Sequence, residues 1–148
     1  MKNLFLSALL TVAVATSAFA TGENNISYFV LNNFNRDFKN ATNVKWTSKT
    51  GLAEATFMMD NRKMDVFYNP DGSLYAVSKT INLDELPVSA KRTFAKRYAG
   101  YTVKEAIQYD GTDEQSYYLS TENEKETVII KIDHSEHLSV FKKTKKNK

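Results

Sequence analysis

The sequence predicts an α+β fold: tandem repeats of a helix plus a four-stranded antiparallel sheet, the eight strands in one continuous sheet with both helices on one face. Three observations lead there. Two alternating runs, Met64 to Tyr68 and Ser73 to Val77, flank Asn69-Pro70-Asp71-Gly72, a turn in which Pro70 presets φ and Gly72 can take the positive φ that lets the strand resume. A degenerate copy returns as Thr127 to Asp133, then His134 to His137, then Leu138 to Phe141. A helical apolar stripe precedes each copy at the same distance: Ile26, Val30, Phe34 and Phe38 become Leu86, Ala90, Phe94 and Tyr98, sixty positions on. A stripe alone is weak, but a stripe and its following strands at one offset indicate internal duplication.

Taken in order, the chain opens with a targeting segment. Lys2 is a positive n-region, Leu4 to Ala15 an apolar run, and Ala18-Phe19-Ala20 an A-x-A cleavage site. The run falls short of the roughly 20 apolar residues that span a bilayer. Cleavage after Ala20 would release an exported mature chain, and no later run reaches membrane length. The chain has no cysteine, so its stability must come from packing, and a disulfide-free exported domain points to a bacterial periplasm.

Helix one needs a cap, for which Asn24 or Asn25 is the candidate, and Asn40 can close it. Val44 to Thr47 alternates, 48–51 turns, Leu52 to Met59 alternates again, and Asp60-Asn61 leads into the opening hairpin. Asp84 is the candidate cap of helix two, with Pro87 in its first turn and Gly100 at its stop. Strands then cover 102–109, 116–121, 126–133 and 138–141, with turns at Asp110-Gly111 and Glu122 to Glu124. The resulting boundaries are a signal peptide at 1–20, repeat one at about 26–81, repeat two at about 84–141, and a basic disordered tail at 142–148.

The net charge of +3 comes from the ends. Lys142, Lys143, Lys145, Lys146 and Lys148 crowd the last seven residues, and without them and Lys2 the body sets 14 basic against 17 acidic residues. A short lysine run reads as a solvated terminus rather than a nucleic-acid site.

Helix, Val44-Lys45-Trp46, strand pair, Tyr68-Asn69-Pro70-Asp71-Gly72 hairpin and Leu86-Pro87 helix together resemble the PepSY-like domain, which is similar to β-lactamase-inhibitor protein (BLIP). The resemblance covers nearly all of the mature chain, from about Ile26 to Phe141. It implies a small exported bacterial protein with a binding or inhibitor-like role and no enzyme activity. This chain lacks the inhibitor protein's disulfides, so inhibition of a β-lactamase is not carried over.

The residues offer little chemistry. There is no thiol nucleophile, no Gly-x-Ser-x-Gly elbow, no P-loop and no dinucleotide glycine pattern. Both histidines lie in Asp133-His134-Ser135-Glu136-His137, the one cluster a metal could favour. A zinc site wants about four ligands in fixed geometry, and the cluster stands where repeat one has its turn, so the expectation is a polar hairpin loop, with no metal and no cofactor. The better constellation is the sheet's second face. If Val44, Trp46, Phe57, Val66 and Tyr68 face the helices, alternation turns Lys45, Glu54, Thr56, Asp65, Phe67, Tyr75 and Val77 outward. In repeat two it turns Thr127, Ile129 and Lys131 outward, with Tyr118 and Phe141 beside them. Isolated aromatics among charges have the composition of a protein interface, although they could equally be cross-strand pairs. Phe67, Tyr75, Tyr118 and Ile129 are the expected anchors for an unidentified protein or peptide partner. The alternative is a periplasmic carrier of a small ligand or metal.

Overall fold

The computed structural model describes residues 26–49 and 51–146. The targeting segment, its cleavage site and the candidate caps Asn24 and Asn25 lie outside the described residues. The chain divides into two units, with the boundary between Lys79 and Thr80.

The first unit begins with helix α1 (Tyr28–Asp37). Its cap is Ser27, whose Oγ accepts from the Val30 N–H at 3.3 Å; a serine hydroxyl satisfies one of the N–H groups the first turn leaves unpaired. Four antiparallel strands follow in chain order, β1 (Thr42–Lys49), β2 (Leu52–Met59), β3 (Arg62–Tyr68) and β4 (Leu74–Thr80). Asp60 and Asn61, at φ of 52° and 59°, make the tight β2–β3 turn, the left-handed pair whose twist suits a two-residue hairpin. Val30 and Phe34 of α1 pack against Trp46, Ala55, Phe57, Val66 and Tyr68. Phe34 meets Trp46 and Phe57 edge-on at 5.0 and 5.1 Å, the arrangement ring quadrupoles favour. Tyr68 is fully buried in this core, and burial, aided by nearby Asp37, pushes its phenol up to about 12.

One side assignment is corrected. Phe67 stands opposite Ala76 but Tyr68 opposite Leu74, so Tyr75 is the extra residue of a β-bulge, which shifts the phase of β4. Val77 is opposite Val66 and packs into the helix-facing core, while Ala76 and Ser78 take the second face.

The second unit opens with a 3₁₀ turn (Leu83–Glu85), not with Asp84 as a helix cap. Glu85 Oε1 accepts from the Asn82 N–H at 2.9 Å. Helix α2 (Val88–Arg97) then starts directly after Pro87. Strands β5 (Thr102–Gly111), β6 (Gln115–Glu122), β7 (Glu126–Ile132) and β8 (Leu138–Lys145) follow, each antiparallel to the next. Leu86 and Ala90 pack on Ala106, Leu119, Val128, Ile130, Ile132 and Leu138, with Phe94 and Tyr98 beside them.

The expected disordered tail is corrected over 142–145, which belong to β8. Lys142, Lys143, Thr144 and Lys145 stand opposite Ile129, Val128, Thr127 and Glu126. Carboxylates on the sheet hold the lysines: Lys143 pairs with Glu126 at 2.9 Å and Lys146 with Glu122 at 2.9 Å. The first half of β7 needs a strand beside it, and the lysines find counter-charges there.

Candidate functional site

Two features of the second unit carry functional potential: the sheet face turned away from α2, and a cavity at the end of the β5–β6 hairpin.

The register puts Glu105, Ile107 and Tyr109 of β5, Tyr118 and Ser120 of β6, and Ile129 and Lys131 of β7 on the second face. Tyr118 is its centre. Its ring meets Phe141 at 5.2 Å and Tyr109 at 6.4 Å, both edge-on. Lys131 Nζ lies 5.9 Å from its centroid and pairs with Glu114 at 2.6 Å. Phe141 is the bulge residue of β8, since Ile129 stands opposite Lys142 and Ile130 opposite Val140.

Phe67, Tyr118 and Ile129 lie on the expected side of their strands, but they are not open contact residues. They are 3%, 2% and 5% exposed, and Tyr75 is half-buried. For Tyr118 the cause is visible: flanking rings and the Lys131 stem lie over it. Alternation predicts which way a side chain points, not what its neighbours lay across it. On the corresponding face of the first unit, buried Asp65 accepts from Thr56 Oγ1 at 2.6 Å and, weakly, from Ser78 Oγ at 3.5 Å.

The loop with both histidines is a hairpin turn. Asp133 N–H donates to His137 O at 3.1 Å and Glu136 N–H to Asp133 O at 2.8 Å. Asp133 Oδ1 accepts from the N–H groups of Ser135 and His137 at 2.9 and 3.0 Å, and the His137 N–H bond above all holds its carboxyl below the ordinary range. The first-unit turn has the same form: Asn69 N–H donates to Ser73 O and Gly72 N–H to Asn69 O, both at 2.9 Å. Gly72 at φ 87° is matched by Glu136 at φ 62°. Among the described residues no three of His, Cys, Asp and Glu come together as a metal site.

Beside this turn is a cavity of about 150 Å³. Asp110, Asp133 and Glu136, with Gln108 and Gln115, are among its lining residues, while Ser116, opposite Tyr109, turns its side chain to the second face. Nothing in the sequence pattern marked Asp110 or Gln115, which the hairpin and the turn bring together. The signal was the substitution of Glu136 for Gly72 between aligned turns.

No protein-family model matches the chain, and no curated protein matches it in sequence. Solved structures do share its fold. A Bacteroides eggerthii protein described as periplasmic superposes with a TM-score of 0.72 at 14% identity, over 81% of this chain and 88% of that one. A DUF2874 family protein from Bacteroides uniformis gives 0.69 at 14% identity, over 80% and 88%. A BLIP-like protein from Bacteroides fragilis gives 0.67 at 18% identity, over 84% and 89%. At these identities the likeness shows the fold, which is BLIP-like: eight antiparallel strands and two helices. No helix among the described residues is long and apolar enough to cross a membrane.

Proposed function

We propose that this chain is an exported, non-enzymatic binding protein of the bacterial envelope, released by cleavage after Ala20 and holding a protein or peptide in an inhibitor-like manner on the second face of its strands. On this reading it is PepSY-like, and its two units derive from one module used twice. The matched turns at 69–73 and 133–137 support the duplication, as do the helices Tyr28–Asp37 and Val88–Arg97, sixty positions apart. The fold shared with a protein described as periplasmic and with a BLIP-like protein supports the envelope and binding roles.

The observation that carries the binding reading is the aromatic platform built on Tyr118. Buried Phe67, Tyr118 and Ile129 act as rigid supports, and the half-buried layer above them makes contact: Tyr75 in the first unit, Phe141 and Lys131 in the second. Rings braced edge-on lose little freedom on binding, which suits them as anchors.

Affinity capture from the source bacterium's periplasm, with residues 21–148 as bait, tests this. A protein retained by the wild type and lost with Tyr75→Ser/Phe141→Ser, the variant still folded by circular dichroism, is the expected result. Equal retention by both removes the second face from consideration.

A further inference from the structure

The two helices open their units in the same way but differ in charge. In α1 the charged residues are Arg36 and Asp37, which pair with each other at 2.8 Å. Sixty positions on, Leu31, Asn32, Arg36 and Asp37 give way to Lys91, Arg92, Lys96 and Arg97, and α2 has no acidic residue. The body of the chain sets 14 basic against 17 acidic residues, so this helix is a local concentration of cations.

Among the described residues none of the four stands in an ion pair. Lys91 Nζ donates to the Asp84 carbonyl at 3.0 Å and Arg97 Nη1 to the Leu138 carbonyl at 3.3 Å, which leaves both charges uncompensated. Arg92 and Lys96 are exposed. They stand four residues apart on one side of the helix, where like charges repel. The helix dipole favours cations in the last turn, which accounts for Lys96 and Arg97. It does not account for Lys91 and Arg92, which lie nearer the start.

Exposed aliphatic side chains adjoin these cations. Val88 continues the Arg92–Lys96 row at the same spacing and is exposed, as is Leu83 in the turn before the helix. The Lys91 bond to the Asp84 carbonyl holds that turn beside the helix. Asp84 and Glu85 are the acids of the turn, and Glu85 reaches back to the Asn82 N–H. The inward stripe of Ala90 and Phe94 packs on the core, so contact through the outer face is ionic and shallow. Cations beside a few exposed aliphatic residues suit an anionic bilayer, where headgroups take the charge and the interface takes the apolar side chains.

We propose that the outer face of α2 rests on an anionic membrane surface, with Lys91, Arg92, Lys96 and Arg97 on lipid headgroup phosphates and Val88 and Leu83 in the interface. This face lies on the helix side of the strands, away from the second face, and its test is separate from the capture experiment.

Co-sedimentation with vesicles tests it, using residues 21–148, which keep both units whole and omit an apolar leader that would itself enter lipid. The vesicles are phosphatidylglycerol and phosphatidylcholine in equal parts, against phosphatidylcholine alone. Binding to the anionic vesicles should be at least about tenfold stronger than to the neutral ones and should be lost at high salt. Arg92→Gln/Lys96→Gln, at exposed positions where glutamine suits a helix, should weaken it about tenfold or more. Lys142→Gln/Lys145→Gln removes the same charge from β8 and should weaken it by no more than about threefold. Equal partitioning into both vesicles, equal loss from the two charge-matched variants, or undiminished binding of the folded α2 variant would overturn the face. Retention on a poly-glutamate resin without vesicle binding would assign the cations to an acidic protein and overturn the membrane.

Discussion

The Thr56 hydroxyl of β2 donates across the β2–β3 pair to the Asp65 carboxylate at 2.6 Å, with Asp65 only 5% exposed. A buried carboxylate keeps its charge cheaply only while such donors solvate it. Thr56→Val keeps the shape but removes the donor. It should destabilise the first unit by about 1.5–3 kcal/mol, measured as a lowered urea midpoint at unchanged slope.

The matched turns make opposite predictions. Gly72→Ala forces a side chain into φ +87° and brings its Cβ within 3.1 Å of the Phe29 carbonyl carbon. A loss of about 2–4 kcal/mol is expected. Glu136→Gly, at φ 62°, relieves left-handed strain and should gain up to about 1 kcal/mol. Thermal melts of the two variants, run side by side, check both signs.

Tyr68 links stability to alkaline pH. Its folded value, about 12, lies above the ordinary 10, so the unfolded chain gives up the phenolic proton first. Its contribution is therefore full below pH 10 and lost as pH rises from 10 toward 12. The Tyr68 hydroxyl is buried without a protein partner, so Tyr68→Phe should stabilise at neutral pH by about 1 kcal/mol. It should also flatten the alkaline fall in melting temperature, and an unchanged alkaline limb would refute this cause.

Tyr118→Ser and Phe67→Ser should unfold their units rather than strip an open surface. Each removes a ring at least 97% buried, at a cost of about 3–5 kcal/mol. Tyr75→Ser and Phe141→Ser, at half-buried positions, should cost far less. Chemical denaturation of the four variants separates supports from contacts.

On the acid side, the Tyr101 hydroxyl first, then Lys143, hold Glu126 below the ordinary carboxylate range, and Lys104 and Lys146 do the same for Glu122. A depressed carboxylate contributes stability above its unfolded pKa and loses it as pH falls through the folded value. Stability should therefore decline below about pH 4.5, and the decline should be shallower in Glu126→Gln. An acid titration of the melting temperature decides it.

The helices were legible because an apolar stripe has one physical meaning, and Ala90 for Val30 keeps it. The cap was misjudged because Ser27 lies two or three residues nearer the helix than the asparagines that compete for the role. Val77 was placed on the wrong face because nothing local announces the bulge at Tyr75; it arises from the β3–β4 register. The 142–145 segment read as a solvated run because its counter-charges, Glu122 and Glu126, precede it by about twenty residues and meet it only through pairing. The lining of the cavity comes from residues of the β5–β6 hairpin and the 133–137 turn that are distant in sequence and meet only through the fold.

Lys142, Lys143 and Lys145 lie on β8, the strand that ends the order β5-β6-β7-β8. An outermost strand offers its backbone to any neighbour that could extend the sheet. Lysines on an edge strand disfavour the addition of a further strand there, because an incoming lysine-bearing edge would bring like charges together.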